Sequence, residues 1–521
     1  MRSGVRLVVV ITLVAGAAWI GPGNGGATAT RAVRFDPKGV VHVAAGLLPT
    51  TTGALHFDPA ASTTAEVDYP WQLLVYDALL RRTAGGGLEP SLASKATIVD
   101  PQTIDVELRP GVVFSDGTPF NAEAVKLGVE RNQANTKQQF RAEFAMLTNV
   151  ESTGDLSLRL HLSQRVAGAF YPLLAGQEFF IVSPTAIRNG VDVDATPVGA
   201  GPFVLTRWVP EQQMTFAKNP KYYGAKQIRL GGVELVNSQL GAPRISLLKS
   251  GGVDYGEITV DDISTMRGSG FVVRTQGNDD AMYWFPACKS AKPTDNVNVR
   301  KALNYALDRN EINQALFSGA GEPQWALWPK ANRLFPKDLD GYYRLNLTKA
   351  KQLLKRAGYA KGLQLSVIPP PGAPAIQRMA EIVQSQWKKI GVNLEIKPTS
   401  NYIQDAYVEH KAQLALNPSI RPGLVHLTGP FTPGSIGNLC DYSNPRVNAI
   451  ADQLRALAPD DPKAVSLWKQ AQDFVVKDQA LGVFGLFGPV VTTWNAKRLG
   501  GVQVITGVQN YLNYWKAYIK R

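Results

Sequence analysis

The sequence has few of the residues that build metal and catalytic sites. Among 521 residues there are only two cysteines and five histidines, and no two histidines lie at the short spacing of a local metal site. The five are His42, His56, His161, His410 and His426. The chain also lacks the H-E-x-x-H zinc helix, the G-x-x-x-x-G-K-[ST] phosphate loop and the G-x-S-x-G nucleophile elbow. We therefore predict no metal, no cofactor and no enzymatic activity.

Runs of charge of one sign are also missing. Lysine and arginine number 55 against 42 acidic residues, which gives a formal net charge of +13. The basic residues are dispersed, and no stretch combines them with aromatic residues as RNA-binding segments do. The excess predicts a basic, solvated surface rather than a nucleic-acid partner.

Long hydrophobic runs are absent except at the N-terminus. Two arginines precede an apolar run over residues 7–20, and an A-x-A cleavage site ends at Ala29. A basic start, a short apolar segment and small residues before the cut are typical of a secretory signal. We predict a signal peptide over residues 1–29, with an uncleaved anchor as the alternative. This region contains no cysteine that could carry a lipid anchor. We therefore expect an exported chain in the periplasm or at the outer face of the cytoplasmic membrane.

Alternating apolar residues predict two half-buried strands in the first third of the chain, over residues 104–108 and 156–162. Between them, residues 115–117 read Ser-Asp-Gly, which is a turn signal because glycine tolerates positive φ. Asn121 follows the turn and is placed to cap a helix that continues through Val129.

The second half of the chain predicts helices and a crossover. Apolar residues at helical spacing predict one helix from a cap at Asn298 to the neighbourhood of Gly319, and another over residues 348–358. A strand, a helix and a strand follow over residues 363–367, 376–387 and 392–396. A βαβ crossover implies a parallel or mixed sheet covered by helices, so the fold class is α/β.

Seven blocks of sequence carry a resemblance to one family. The longest, residues 108–125, reads LRPGVVFSDGTPFNAEAV. The others are FDP at 57–59, PSLA at 90–93, PVGAGPF at 197–203, KNPKYY at 218–223, VRKALNYALDR at 299–309 and DYSNP at 441–445. In this order they resemble the bacterial extracellular solute-binding proteins of family 5, the peptide/nickel-type receptors of ABC importers. Ala124 stands where the family signature usually has Asp, and the resemblance covers roughly residues 40–521.

The resemblance implies a periplasmic-binding-protein-like fold with two large lobes, an inserted smaller domain, mixed sheets and a hinge cleft. Domain I would comprise residues 40–60, 196–280 and 490–521, domain II residues 61–195, and domain III residues 281–489. It also implies a monomer that captures a peptide-like or other small solute and delivers it to the permease subunits of an ABC importer. Two alternatives stay open: an exported hydrolase with a dispersed active site, and a receptor-like scaffold that signals to a membrane partner.

Several of these blocks are expected to have structural roles. The turn and helix cap within residues 109–121 would stabilise one domain. The Gly- and Pro-rich residues 197–203 would mark the return from domain II to domain I, with a ligand-binding loop as the alternative. Arg300 and Arg309 bracket a helix, and we expect them in salt bridges at the surface, with a carboxylate clamp as the alternative.

Candidate ligand contacts come from aromatic and polar residues near the presumed cleft. Trp284 lies in the strand that would open domain III, and Trp325 and Trp328 follow in a loop bounded by prolines. Core packing is the alternative role for each of these tryptophans.

The segment at residues 411–440 departs from the peptide-binding members of the family. Those members generally place a Trp and then an Asp here, and the Asp can pair with the α-ammonium group of a peptide. This segment contains no Trp, Asp or Glu, but it offers Asn417 and Arg421 as candidate contacts. A buried ammonium without an acid is costly, so we expect that a free peptide N-terminus is not held in the usual way. Arg421 suits a ligand that carries a carboxylate.

The two cysteines, Cys288 and Cys440, are candidates for a disulfide because an exported protein meets an oxidising environment. A disulfide requires Cα atoms about 4.4–6.8 Å apart. The sequence leaves that distance open.

Overall fold

The computed structural model describes most of the chain after its first 33 residues. The described residues are 34–46, 48, 56–62, 65–134, 146–371, 374–419, 424–433, 435, 437–505 and 511–521. The predicted signal peptide and the candidate Arg421 lie outside them. Phe35–Arg521 form one compact unit. In the described part of the chain, no helix is both long and apolar enough to cross a membrane.

Within the described ranges, the largest sheet is mixed and has nine strands. Eight lie side by side in the order Asn417–Ser419, Val272–Pro286, Gly482–Trp494, Tyr255–Glu257, Val40–Ala45, Gly232–Asn237, Gln213–Lys218 and Phe203–Val209. The ninth, Glu322–Pro323, pairs with Gly482–Trp494. Val40–Ala45 is parallel to both of its neighbours, and the other pairs are antiparallel. The sheet therefore joins segments from the beginning, middle and end of the chain.

A second sheet is antiparallel and has four strands. Their order is Ala93–Asp100, Thr103–Leu108, Ser157–Leu162 and Leu147–Gly154. Two of these strands confirm the predictions made from alternating apolar residues. The helix Ala122–Ala134 follows the predicted turn, where Gly117 has φ +98°. Asn121 caps this helix as predicted, since its side-chain oxygen accepts a hydrogen bond from the Ala124 N–H at 2.9 Å.

The third sheet is parallel and contains the predicted crossover. Its strands lie in the order Val392–Ile396, Leu363–Ile368 and Leu414–Ala415. The helix Pro374–Lys388 connects the first two, which confirms the βαβ unit. Met379, Val383 and Trp387 on this helix are fully buried. The period of 3.6 residues in the sequence therefore marks the face that packs on the sheet.

Further elements connect these sheets. The other α-helices are Ala65–Val75, Ala167–Phe170, Pro184–Arg188, Ala242–Ser250, Ile263–Gly268, Val297–Tyr305, Arg309–Phe317, Leu347–Arg356, Val425–Phe431, Pro445–Arg455 and Pro462–Gln472. Short 3₁₀ segments are Tyr171–Ala175, Gln177–Phe179, Val260–Asp262 and Lys337–Leu339, and π-helical turns are Gln404–Val408 and Asp473–Asp478. Small antiparallel pairs are Leu80–Arg82 with Leu88–Pro90, Leu499–Gly500 with Tyr518–Ile519, and Val504–Ile505 with Tyr511–Leu512. The helix Leu347–Arg356 confirms the prediction for residues 348–358.

The helix predicted from Asn298 differs from the prediction. It consists of two helices, Val297–Tyr305 and Arg309–Phe317. The first is capped by Asn296 rather than Asn298, and the second begins after Asp308, whose carboxylate accepts two backbone N–H groups at 3.1 Å. The cap at Asp308 breaks a pattern of apolar residues that is otherwise continuous, because a side chain that satisfies free N–H groups starts a new helix.

Three large hydrophobic clusters occupy different parts of the molecule. One draws its buried residues from positions 282–487 and another from positions 79–200. The third combines residues within positions 41–78, 180–255 and 499–519. Each cluster buries its own set of apolar side chains, which is how separate domains are stabilised.

The two longest strands, Val272–Pro286 and Gly482–Trp494, pair with one another across a break in register. Gly277 pairs with Pro489, and the next pair along the strands is Met282 with Phe487. Met282 and Phe487 belong to the 282–487 cluster, whereas Val491 packs in a smaller cluster with Ala44 and Leu248. The break therefore lies where the strands pass from one core to another, and such irregularities bend and twist a strand pair.

Candidate ligand-binding site

The turn at residues 115–117 forms hydrogen bonds with three residues that lie far from it in sequence. The Ser115 N–H donates to the Gly199 carbonyl at 2.9 Å, and the Lys221 ammonium donates to the Ser115 carbonyl at 3.0 Å. The Asp116 carboxylate accepts the Ser183 hydroxyl at 2.6 Å. These contacts are internal to the fold, in agreement with a structural role for residues 109–121.

Residues 197–203 form a close contact with the end of the helix Ala65–Val75. The Gly201 N–H donates to the Val75 carbonyl at 2.7 Å. A Cβ atom at Gly199 would lie 2.3 Å from the Val75 carbonyl oxygen, and one at Gly201 would lie 2.4 Å from the Val75 carbonyl carbon. Only glycine fits at this distance, so the block has a packing function at the point where the chain enters the strand Phe203–Val209.

Arg300 and Arg309 do not form the surface salt bridges that we expected. Their exposed fractions are 3% and 2%. Arg300 donates to the backbone carbonyls of Thr294, Asp295, Gln479 and Ala480 at 2.7–3.2 Å. Arg309 donates to the carbonyls of Phe484 at 2.9 Å and Tyr343 at 3.0 Å. A guanidinium group has five donors. Those of Arg300 satisfy loop carbonyls, and those of Arg309 satisfy carbonyls of the strand Gly482–Trp494 and of the turn at Tyr343.

Two of the candidate tryptophans lie in the core. Trp284 is 1% exposed and stacks on Phe484 with ring centres 6.1 Å apart. Trp328 is 3% exposed and meets Trp468 edge-on at 5.4 Å. Neither ring presents appreciable surface to a solute in this conformation, so the structure favours the packing role for both.

Trp325 and Asn417 are better placed as candidates. Trp325 is half-buried, and the Arg309 guanidinium lies 4.8 Å from the centre of its ring. Asn417 is also half-buried and pairs with Trp284 at the edge of the large sheet. Both keep some exposed surface, Trp325 in a loop and Asn417 in an edge strand, and their contact with a ligand stays a prediction.

Cys288 and Cys440 form a disulfide in the structure, with Cα atoms 5.2 Å apart. The bond joins positions 152 residues apart in sequence. Cys288 lies two residues after the end of the strand that contains Trp284, and Cys440 ends the segment at residues 411–440. The disulfide therefore anchors this segment to the end of the strand Val272–Pro286.

A lysine that the sequence analysis did not select lies beside the disulfide. The half-buried Lys289 places its Nζ 4.8 Å from the centre of the Tyr442 ring and 5.6 Å from that of the Phe431 ring. Burial, and then the positive charge of Arg300, lower the pKa of Lys289 to about 7. The available signal in the sequence was a basic residue directly after a predicted strand and a cysteine. The rings that surround it come from residues 142–153 positions later, a proximity that sequence spacing does not reveal.

Direct contacts join the cluster at positions 79–200 to the one at positions 282–487. A Cβ atom at Gly168 would lie 2.3 Å from the carbonyl oxygen of Leu454 and 2.4 Å from that of Leu457. A second contact brings Gly86 close to the Asn332 side chain, since a Cβ there would lie 2.8 Å from its amide nitrogen. The two parts of the fold therefore touch through glycines on one side, and through backbone carbonyls and the Asn332 amide on the other.

Three of the five histidines pair with single acids. His42 lies 3.1 Å from Asp254, His56 lies 2.8 Å from Asp194, and His161 lies 2.8 Å from Glu151. Over the described ranges, no group of three or more histidine, cysteine or acidic side chains is arranged to hold a metal.

A surface depression of about 540 Å³ lies along the helix Leu347–Arg356. Its lining residues are Asn346, Thr348, Lys349, Gln352, Leu353 and Arg356. A site between domains takes residues from separate segments, whereas these all come from one helix and its cap. We therefore do not assign this depression as the solute site.

Taken together, the mixed nine-stranded sheet, the separate cores and the long strands that pass between them define the fold of a periplasmic binding protein. The chain belongs to the bacterial extracellular solute-binding proteins, family 5. The model for the middle region of this family matches residues 87–420, which is more than half of the chain.

A curated relative is the glutathione-binding protein GsiB of Pectobacterium atrosepticum. It is 27% identical over 437 residues, which are 78% of this chain and 81% of the relative. Like the other members of its family, this chain is an extracellular solute-binding protein.

Solved structures share the fold over nearly the whole chain. The substrate-binding protein CtaP of Listeria monocytogenes matches with a TM-score of 0.74 and 22% identity, covering 93% of this chain and 99% of that one. The periplasmic murein tripeptide-binding protein MppA, in its unliganded open form, matches with a TM-score of 0.81 and 18% identity, covering 94% and 98%.

Proposed function

We propose that this chain captures a peptide-like solute bearing a carboxylate in a cleft between domain III and domains I and II, and delivers it to an ABC permease. The observation that carries this proposal is the strand pair Val272–Pro286 and Gly482–Trp494. It passes between separate hydrophobic cores and breaks its register on the way. Two covalent crossings at one irregular point are suited to a hinge, because a few residues there can absorb the change in backbone angles.

The three-domain division expected from the sequence remains part of this proposal. The register break between Gly277 and Met282 supports the predicted boundary between domain I and domain III at residues 280/281. The buried side chains of Trp71 and Leu74 pack in the same cluster as the strands of domain I. That packing favours moving the predicted boundary at residues 60/61 to between Ala78 and Leu79.

The contacts of Gly168 with Leu454 and Leu457 support a closure mechanism. They join domain II to domain III without a covalent link nearby. A solute that touches both sides stabilises the closed state more than the open one, and the population shifts accordingly. We infer that this contact forms on closure and separates on opening.

The ligand class follows from charge and from the names of relatives. Residues 411–440 contain no acid that can pair with a ligand's ammonium group, whereas Lys289 and Arg300 supply positive charge beside this segment. GsiB is named as glutathione-binding and MppA as murein tripeptide-binding. A peptide-like solute with free carboxylates fits both observations, and glutathione is the first probe.

The remaining parts of the proposal concern the setting of the protein. We infer a monomer without catalytic activity that is exported by the segment at residues 1–29. The basic start and short apolar run of that segment support export.

The test uses the chain from Thr30 onward and measures both binding and closure. The panel contains glutathione, tripeptides, N-acetylated peptides, nickel–histidine complexes and sugars. A solute at about 100 times its Kd should add roughly 2.7 kcal/mol to the free energy of unfolding. We expect thermal stabilisation by a peptide-like acid together with a smaller radius of gyration in small-angle X-ray scattering. Stabilisation without compaction would contradict the closure mechanism, and turnover of a panel member would contradict the absence of catalysis.

A further inference from the structure

Among the described residues, no acidic side chain pairs with the ammonium group of Lys289. None of the hydrogen bonds and ion pairs between described residues involves its ammonium group, which instead lies over the Tyr442 and Phe431 rings. A lysine has three N–H donors, and aromatic faces satisfy only part of its charge. Half-buried lysines normally pair with an acid or extend into water. This one has capacity left for an anion.

The neighbouring charge increases this capacity. Arg300 is close enough to help lower the pKa of Lys289 to about 7, after the larger effect of burial. The donors of Arg300 point to backbone carbonyls, which are neutral, and the nearby Asp295 carboxylate acts on its charge without forming an ion pair with it. Segment 411–440, which contributes Phe431, contains no acid. An anion bound here would gain from two cations in a partly desolvated site.

We propose that Lys289 is a carboxylate-binding residue, whose ammonium group pairs with a carboxylate of the captured solute while Tyr442 and Phe431 form the adjoining wall. This inference rests on the proposed solute-binding function and adds to it the residue that selects an acidic ligand.

The disulfide gives the site a fixed geometry. Cys288 directly precedes Lys289, and Cys440 lies two residues before Tyr442. The bond therefore holds the strand end with the cation next to the loop with the aromatic ring. A site whose parts are held together before binding loses less conformational entropy when the ligand arrives.

Lys349 provides a matched comparison for Lys289. Its Nζ also lies over a tyrosine ring, 4.1 Å from the centre of Tyr305. However, Lys349 is exposed and donates a hydrogen bond to the Tyr305 hydroxyl at 2.7 Å. Each lysine lies over a tyrosine ring of its own. The two differ in burial, and only Lys349 has a hydrogen-bond partner for its ammonium group among the described residues. Only Lys289 is expected to respond to a carboxylate ligand.

The first experiment measures the acetylation rate of each lysine by an amine-reactive reagent and mass spectrometry. The probes are glutathione, succinate and a tripeptide, with glutathione diethyl ester as the uncharged control. We expect at least one acid to slow acetylation of Lys289 by about 10-fold or more. The diethyl ester should not protect Lys289, and Lys349 should react at the same rate throughout.

The second experiment compares affinities of two variants for the acid that protects best. Lys289→Met should raise its Kd by about 10-fold or more, because a partly buried ion pair is lost. Lys349→Met should leave Kd unchanged. Melting temperatures of both variants verify that they are folded.

The outcomes separate this inference from the proposed function. Closure around an acid without protection of Lys289, or with unchanged affinity of Lys289→Met, overturns the carboxylate-binding role and leaves solute capture intact. If only an uncharged solute causes closure, the carboxylate-binding role is likewise overturned and solute capture is left intact. If no acid protects Lys289 and no panel member causes closure, both proposals fail.

Discussion

At the scale of single residues, buried ionisable groups show where tertiary structure overrides the ordinary chemistry of a side chain. Arg300 and Arg309 are buried against carbonyls, and Lys289 is held over aromatic rings. Asp68 is fully buried and accepts hydrogen bonds from the Ser62 hydroxyl and the His56 N–H. In each case the charge is paired with dipoles or rings instead of an opposite charge, so its energy depends strongly on burial.

Asp68 predicts a specific pH dependence of stability. Burial raises its pKa from 3.8 to about 7, so the folded state holds this proton more tightly than the unfolded state. The carboxyl group therefore favours folding at low pH, and this advantage is lost as pH rises towards 7. Between pH 5 and 7 we expect Asp68→Asn to gain stability relative to the natural chain by up to about 2 kcal/mol. Denaturant unfolding at several pH values measures this difference.

Asp105→Asn is the control for this pH profile. The hydrogen bond from Arg159 lowers the pKa of Asp105, so that carboxylate stays ionised from pH 5 to 8 in both states. The difference in the free energy of unfolding between Asp105→Asn and the natural chain should therefore be constant over this pH range. A flat profile for Asp68→Asn as well would contradict the raised pKa of Asp68.

At the scale of elements, the blocks of sequence that identify the family are mainly sites of close packing. The turn at residues 115–117 and the glycines within residues 197–203 hold each other and the end of the helix Ala65–Val75. Such contacts position a domain without touching a solute. They also explain why the signature carries little information about the ligand.

Gly201→Ala tests this packing. The new Cβ would lie 2.4 Å from the Val75 carbonyl carbon, which belongs to the backbone and cannot rotate away. We expect a loss of about 1–3 kcal/mol in the free energy of unfolding, since overpacking forces the backbone to shift. Gly85→Ala is the matched control, because a Cβ at Gly85 meets nothing within 4 Å. Equal melting temperatures for the two variants would show that residues 197–203 can move away from the Val75 backbone without loss of stability.

At the scale of the whole molecule, the core at positions 282–487 is joined to the rest of the fold in two ways: the long strands connect it to domain I, and the contact at Gly168 connects it to domain II. The first connection is covalent and persists in every state. The second is a contact between small groups and exists only while the two parts lie together. A receptor that opens and closes needs this combination of a permanent hinge and a reversible contact.

Gly168→Ala is predicted to weaken closure and to leave the domains folded. The added Cβ collides with backbone atoms of Leu454, Arg455 and Leu457, all on the opposite side of the contact. Separating the two sides relieves the collision, so we expect the Kd of the solute to rise by about 10-fold with little change in melting temperature. Scattering with bound solute should show incomplete compaction. Gly268→Ala, at a helix position where a Cβ meets nothing within 4 Å, should behave like the natural chain.

A large fall in melting temperature for Gly168→Ala would contradict the assignment. It would indicate that the contact is part of a permanent core and does not separate on opening.

The sequence by itself determined the α/β class, the family and several elements, because these depend on local patterns. Alternating residues at 104–108 and 156–162, the cap at Asn121 and the βαβ unit at 363–396 each need only neighbouring side chains to be recognised. The sequence did not determine the division into two helices at Asp308 or the packing roles of Trp284 and Trp328. The burial of these two tryptophans depends on Phe484 and Trp468, which lie more than one hundred positions away. The distance between Cys288 and Cys440 and the surroundings of Lys289 were likewise decided by tertiary structure, since a lysine's partners are set by which loops the fold brings together.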